Sequence, residues 1–266
     1  MAVIWQKKEK LEYLTAEGIS VKHCFTTRRG GVSEGIFARL NLGCHRGDSI
    51  ENVEKNYEIL GKELDFDCKN LVLTRQIHSD TIRVVTKKDA LGVDHHRYPE
   101  CDALVSCDPG TVLGVFTADC TPVLLWDSVT GAVGAVHAGW RGTALDIAGK
   151  AVRAMEAAFG CEAKNICAAI GPNIGPCCFE THGDVPQAMV ETYGVGAEKW
   201  IRPANGKYYV NLKEMNALSL RRAGVEAVEI SDFCTACRPD LFWSHRVTGA
   251  QRGSQGALIV CEGGKP

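Results

Sequence analysis

The alternation of apolar runs and polar breaks is sharpest across residues 112–142, VLGVFTADCTPVLLWDSVTGAVGAVHAGWRG. An apolar run over 112–116 stops at Ala118-Asp119-Cys120. A second covers 123–126, and Asp127-Ser128-Val129-Thr130-Gly131 has turn composition. A third run, 132–136, leads into His137. Short apolar runs between turn signals read as strands, so three adjacent strands are expected here, the last two as a hairpin. With Asp127 roughly opposite Ala132, Cys120 and His137 fall at the open end of that hairpin as diagonal neighbours. Such neighbours are about 7–8 Å apart at the backbone, within reach of converging side chains.

The same reading places strands at residues 20–26, 70–73, 81–85, 103–106, 166–170, 225–230, 241–245 and 257–260. Ser49 caps a helix over 50–64 with Val53, Tyr57, Leu60 and Leu64 on one face. Thr143 is the expected N-cap of a second helix, with Asp146 in the capping-box position. Its buried stripe is Ala148, Val152, Met155 and Phe159, and Gly160 is its stop. Further helices are expected over 185–193 and after Asn211, with Leu212, Met215 and Leu220 inward and Gly224 closing the second. Short strands interleaved with helices predict a mixed α/β architecture. No internal repeat, low-complexity tract or Pro/Gly/Ser-rich linker divides the chain, so residues 1–266 read as one domain.

Composition narrows the class without naming a function. Hydrophobic residues make up 45% and charged residues 23% of 266, the balance of an ordinary soluble protein. A net charge of −2 gives no footprint for nucleic acid, although a local anion pocket stays open. No signal peptide and no stretch long enough to span a bilayer is read, so a cytoplasmic protein without membrane contact is expected. The thirteen cysteines are an odd number in a long chain without an export signal, and read mostly as reduced, buried thiols. No interface patch is visible, and a monomer is expected.

Three constellations could carry chemistry. His78, in the polar loop TRQIHSD, could join Cys120 and His137. Two imidazoles, a thiolate and an open fourth position make the pattern of a catalytic zinc site, whereas a structural zinc takes four protein ligands. Taken singly, each has a plainer reading as a surface histidine, a buried thiol and a core histidine. The second is Cys234-Thr235-Ala236-Cys237, a CxxC that could be half a structural zinc site or a redox pair, although no thioredoxin-like context precedes it and loop cysteines are the plainer reading. A four-cysteine zinc site needs another pair, and Cys177-Cys178 is adjacent and poorly suited to chelation. The third is a set of loop arginines: Arg28, Arg141 and Arg246. Arg141 stands out, because it precedes an expected helix start whose free N–H groups favour an anion. No GxGxxG, P-loop, GxSxG or HExxH occurs.

These motifs together resemble the YfiH/YlmD family. Residues 26–33 (TTRRGGVS), 40–43 (LNLG) and Gly47-Asp48 resemble its N-terminal signature. Gln76-Ile77-His78, 117–124 (TADCTPVL) and 137–143 (HAGWRGT) resemble its central motifs. Residues 169–174 (AIGPNI), Cys234-Thr235 and 242–246 (FWSHR) resemble its C-terminal ones. Two departures stand out: Ser79 where the family often has Gly, and His245 where it often has Tyr before Arg.

The family has been called laccase-domain, multicopper polyphenol oxidase and peptidoglycan editing factor. Its better-supported activity is purine nucleoside phosphorolysis together with adenosine deamination. The resemblance implies a four-layer αββα sandwich with mixed sheets, and one zinc at His78, Cys120 and His137. It implies phosphate and purine nucleosides as partners: adenosine, inosine, guanosine and methylthioadenosine. On that reading Arg28, Asn41, Arg141 and Arg246 contact substrate or phosphate, and Asp119 with Arg141 serves catalysis. A copper phenol oxidase is the alternative suggested by the older name, but the eight histidines include no HxH pair. A role in correcting peptidoglycan precursors is a further alternative, with no residue pointing to it.

Overall fold

The computed structural model describes residues 2–264. Its elements in order are β1 (Val3–Lys8), β2 (Leu11–Ala16), β3 (His23–Thr26), α1 (Ile50–Leu64), β4 (Leu71–Leu73), β5 (Ile82–Val84) and β6 (Ala103–Ser106). Next come β7 (Val112–Thr117), β8 (Thr121–Asp127), β9 (Val133–Ala138), α2 (Trp140–Ala144), α3 (Ile147–Phe159), β10 (Ile166–Ile170), β11 (Glu180–Thr181) and α4 (Asp184–Tyr193). The remainder are β12 (Ile201–Ala204), β13 (Lys207–Val210), α5 (Leu212–Arg222), β14 (Ala227–Ile230), α6 (His245–Thr248) and β15 (Gln255–Val260).

Two six-stranded mixed sheets, ordered β1-β2-β3-β15-β7-β4 and β14-β10-β8-β9-β6-β5, face each other. The second sheet is buried on both faces, and its alternation sorts the core. Leu104, Leu124, Val133, Ala135 and Ala169 point toward the first sheet. Val105, Val123, Leu125, Val136 and Ile170 point toward α3 and α5, against Ile147, Val152, Met155 and Leu220. Burial on both faces explains why these strands read as continuous apolar runs. α1 lays Val53, Tyr57 and Leu60 on the core of the first sheet, giving the αββα layering. Its cap is as expected, with Ser49 accepting from the Asn52 N–H at 3.1 Å.

The hairpin holds as read. Asp127 N–H donates to the Ala132 carbonyl, and Pro122 stands opposite His137, so Cys120 is the diagonal neighbour of His137. The strand before it is not adjacent, however: β7 lies in the first sheet, and residues 118–120 carry the chain across to the second. A run buried on both faces has no polar side to show which sheet it joins.

Two further expectations are corrected. The helix expected from Thr143 is two helices. Gly139 is the N-cap of α2, Thr143 lies inside it, and Asp146 breaks the chain with a left-handed φ of 61°. The Asp146 carboxylate accepts from Ser219 and Arg153 instead of capping in a box with Thr143. Arg141 therefore sits inside the five-residue α2 rather than ahead of a long helix. Residues 241–245 form no strand. Phe242 and Trp243 are apolar because they are buried in a loop, and Ser244 caps α6. The β1–β2 hairpin and a three-stranded sheet, β11-β13-β12, were not read from the sequence. Their strands are half exposed and carry no clean alternation.

Candidate metal centre and cavity

His137 shares the parity of Val133 and Ala135 on β9, so its ring points between the sheets at their open end. Cys120, from the crossover between β7 and β8, and His78, from the loop after β4, meet it there. Their ligand atoms all lie within 4.8 Å of one another. The two rings meet edge to face, with centroids 4.9 Å apart. His78 and Asp119 both adopt positive φ, 61° and 90°. Gln76 fixes the approach of the His78 loop by accepting from the Phe116 N–H at 2.8 Å and donating to the Phe116 carbonyl at 2.9 Å.

Asp102, just before β6, organises this cluster, and no feature of the sequence singled it out. Its fully buried carboxylate accepts from the backbone N–H groups of Ile77, His78 and Ser79 and from the Ser79 hydroxyl. It also meets His137 Nδ1 at 2.8 Å. Burial opposes ionisation of Asp102, but the His137 and Ser79 donors outweigh it and hold the carboxyl at about 2. Burial likewise opposes a charge on His137. The Cys120 sulfur and Asp102 overcome it and raise that imidazole to about 9. His78 is lowered, by burial first and then by His137.

The three donors open on a cavity of about 540 Å³. Its apolar wall includes Phe116, Trp140, Ile174, Phe179 and Leu212. Four arginines also line it: Arg46, Arg141, Arg246 and Arg252. Among the described residues none of the four forms an ion pair with a carboxylate. Arg252 is buried, its Nε has no hydrogen-bond partner, and burial, then Arg46, lowers it to about 10. Arg252 Nη1 donates to the Gly253 carbonyl at 3.0 Å and the Ser254 hydroxyl at 3.4 Å, and no carboxylate among the described residues neutralises it. A buried guanidinium without a carboxylate partner, facing a cavity, is suited to an incoming anion. Arg246 spends both terminal nitrogens on the carbonyls of Cys178 and Glu180. Arg141 lies over the Trp140 ring at 4.2 Å.

The family model for the multi-copper polyphenol oxidoreductase laccase matches residues 22–262. The chain belongs to this laccase-domain family. A Geobacillus stearothermophilus relative named purine nucleoside phosphorylase YlmD is 36% identical over 241 residues, covering 88% of this chain and 87% of that protein. A protein from an unknown prokaryotic organism named adenosine deaminase RL5 is also 36% identical, over 252 residues, covering 92% of this chain and 95% of that protein. The crystal structure of the Geobacillus YlmD superposes with a TM-score of 0.92 at 34% identity, over 97% of this chain and 99% of that one.

Within this laccase-domain fold the remaining sequence candidates separate. Arg28 does not line the cavity. Its guanidinium donates to the carbonyls of Ala38 and Pro239 and stacks 3.8 Å over the Trp243 ring, which ties loops together. Asn41, also away from the cavity, is fully buried and bonds Gly43, Asp48 and Ser254. The family resemblance implies a substrate contact for each, but internal hydrogen bonds consume both side chains. Asp119 does line the cavity. One of its oxygens accepts from the Thr235 hydroxyl and the other from the Arg246 N–H, each at 2.6 Å, so it positions the crossover. The Ser79 departure adds one hydrogen bond, from its hydroxyl to Asp102 at 2.7 Å, beside a backbone N–H donation that glycine would also make. His245 opens α6 and lines the cavity. Arg46, Arg252 and His95 are cavity residues that sequence reasoning missed. Arg252 had one faint signal, its place in the loop QRGS just before the last strand.

Proposed function

We propose that this chain, acting as one domain, is a zinc-dependent purine nucleoside enzyme. It cleaves adenosine, inosine, guanosine and methylthioadenosine with phosphate, giving the base and a ribose 1-phosphate or its methylthio analogue, and it deaminates adenosine. The observation that carries this reading is one cavity in which His78, Cys120 and His137 converge beside arginines that lack carboxylate partners.

The donor set suits zinc: two imidazoles and a thiolate, with one imidazole oriented by a buried carboxylate and the cavity leaving room for a fourth ligand. When bound, such an ion supplies Lewis-acid activation of an oxygen at the cavity surface. The chain's own residues supply the rest. Phe116, Trp140 and Phe179 offer aromatic faces for a purine. Arg252 and Arg46, with Arg141 at the rim, are the candidates to hold phosphate beneath the ribose C1′ while the base departs. They would counter the phosphate charge in a partly dry site. Arg28 and Asn41 have no part in that contact.

A copper oxidase working through several ions would need more histidines converging on His78 and His137. Among the described residues the other convergent donor group is made of cysteines alone, Cys177, Cys178, Cys234 and Cys237.

Chromatography of the products from inosine and adenosine, with and without phosphate, tests the proposal. Base release that requires phosphate, and ammonia release from adenosine that does not, are expected. No base from either nucleoside, alongside oxygen uptake on a phenol, would overturn it.

A further inference from the structure

We propose that Cys177, Cys178, Cys234 and Cys237 form a second metal site, holding one zinc or a similarly thiophilic divalent ion through four thiolates behind the cavity wall. The sulfurs lie within 4.8 Å of one another, and all four cysteines are free thiols. The Cys237 sulfur is 3.5 Å from that of Cys177 and 3.4 Å from that of Cys178. A disulfide needs about 2.05 Å. A zinc tetrahedron with bonds of about 2.3 Å has sulfur–sulfur edges of about 3.8 Å. The observed spacing is that of ligands around an ion.

The adjacent pair chelates because its backbone is a turn and not a strand. The N–H groups of Cys178 and Phe179 both donate to the Gly175 carbonyl, at 3.0 and 2.9 Å. Successive side chains in a helical turn are about 100° apart, so both sulfurs reach the same partner. Across from them, the Arg238 N–H donates to the Cys234 carbonyl, which sets Cys234 and Cys237 on one face of a second turn. An adjacent pair is poorly suited to chelation when read from sequence alone, and it is the turn at residues 175–179 that brings both sulfurs to Cys237.

The surroundings suit a charged thiolate cluster. The Gly175 N–H donates to the Cys234 sulfur at 3.1 Å. A Cβ at Gly175 would stand 3.2 Å from both the Cys177 sulfur and the Cys234 Cβ, so glycine keeps the gap open. The buried Lys213 ammonium donates to the carbonyls of Ser231 and Phe233, and its charge acts on Cys234 and Cys177. Four thiolates on a divalent ion carry net negative charge, which this lysine offsets.

Four protein ligands leave no position for a substrate, so the role is structural. The ion would clip the segment carrying Phe179 to the segment carrying Thr235, which donates to Asp119. Arg246 is held on the same clip through the Cys178 carbonyl.

The test is metal content of the full chain purified under reducing conditions, with the Cys237→Ser and Cys120→Ala variants beside it. Two equivalents in the wild type and one in each variant are expected. After cobalt exchange, Cys120→Ala should keep the sulfur-to-cobalt charge-transfer band of a tetrathiolate, and Cys237→Ser should lose it. On the wild type alone, so that no variant need fold, a thiol reagent should modify the exposed Cys177 and Cys237 only after a chelator is added. One equivalent in the wild type that only Cys120→Ala removes, immediate modification of both thiols, or a disulfide within the four by mass spectrometry would overturn the proposal.

Discussion

His137 Nδ1 lies 2.8 Å from Asp102 Oδ1, and the same carboxylate collects the N–H groups of residues 77–79. One buried charge therefore orients two of the three converging donors. With Nδ1 donating to Asp102, Nε2 is the His137 nitrogen left to face Cys120, and a bound ion would take the place of its proton. Asp102→Asn keeps the volume and removes the charge. Metal affinity should fall by about 10–100-fold, as for other outer-shell partners of metal ligands. Competition with a coloured chelator measures it, and an unchanged affinity contradicts the role given to Asp102.

Gly139 separates packing at the centre from folding. Its φ of −65° is open to alanine, but a Cβ there would stand 2.5 Å from His78 Nδ1 and 3.4 Å from the Cys120 sulfur. Gly139→Ala should therefore lose metal at this centre while α2 and the hairpin remain intact. Metal analysis with circular dichroism reads both. Full occupancy with wild-type affinity would show that the cradle is not the ligand site.

Arg252 and Arg28 should fail in different ways. Arg252→Met removes from the cavity a buried guanidinium that has no carboxylate partner among the described residues and whose Nε is unsatisfied. The expected loss is roughly 10–100-fold in kcat/KM for phosphate, from charged hydrogen bonds worth about 1.5–3 kcal/mol, with deamination far less affected. Arg28→Met should leave phosphate saturation alone. It should lower stability by about 1–3 kcal/mol through lost carbonyl contacts and the lost Trp243 stacking. Phosphate titrations and urea melts on both variants distinguish these outcomes, and a reversed pattern would return Arg28 to the site.

His95 predicts a pH effect on stability. Burial lowers its imidazole to about 4, with His96, His45 and Arg46 acting in the same direction and Asp94 against them. Phe116 stands beside it, with ring centroids 5.3 Å apart. The unfolded chain protonates near pH 6.5. The native state thus binds this proton less readily, and its stability is lost as pH falls from about 6.5 toward 4. His95→Gln should flatten that loss when urea midpoints are compared at pH 7 and 5. Equal losses in variant and wild type would remove His95 as a cause.

Local signals carried over from sequence to fold where local physics decided the outcome. The Ser49 cap, the α1 stripe and the turn that pairs Asp127 with Ala132 all rest on neighbours in the chain. The diagonal relation of Cys120 to His137 followed from that turn alone. Long-range choices were not legible. Nothing in residues 112–117 shows that they pair with β15 rather than with the next strand. The break at Asp146 depends on Ser219, far along the chain, and Asp102 is a lone acid before a strand until the fold brings residues 77–79 to it. Arg28 looked available in a loop, because the carbonyls and the Trp243 ring that consume it come from distant segments.

The most direct test of a metal-centred nucleoside site is inosine phosphorolysis by Cys120→Ala protein of measured metal content. The variant should carry one metal equivalent less than the wild type, and both phosphorolysis and adenosine deamination should fall to background. Wild-type phosphorolysis by a Cys120→Ala protein verified to lack metal at that centre would contradict the account.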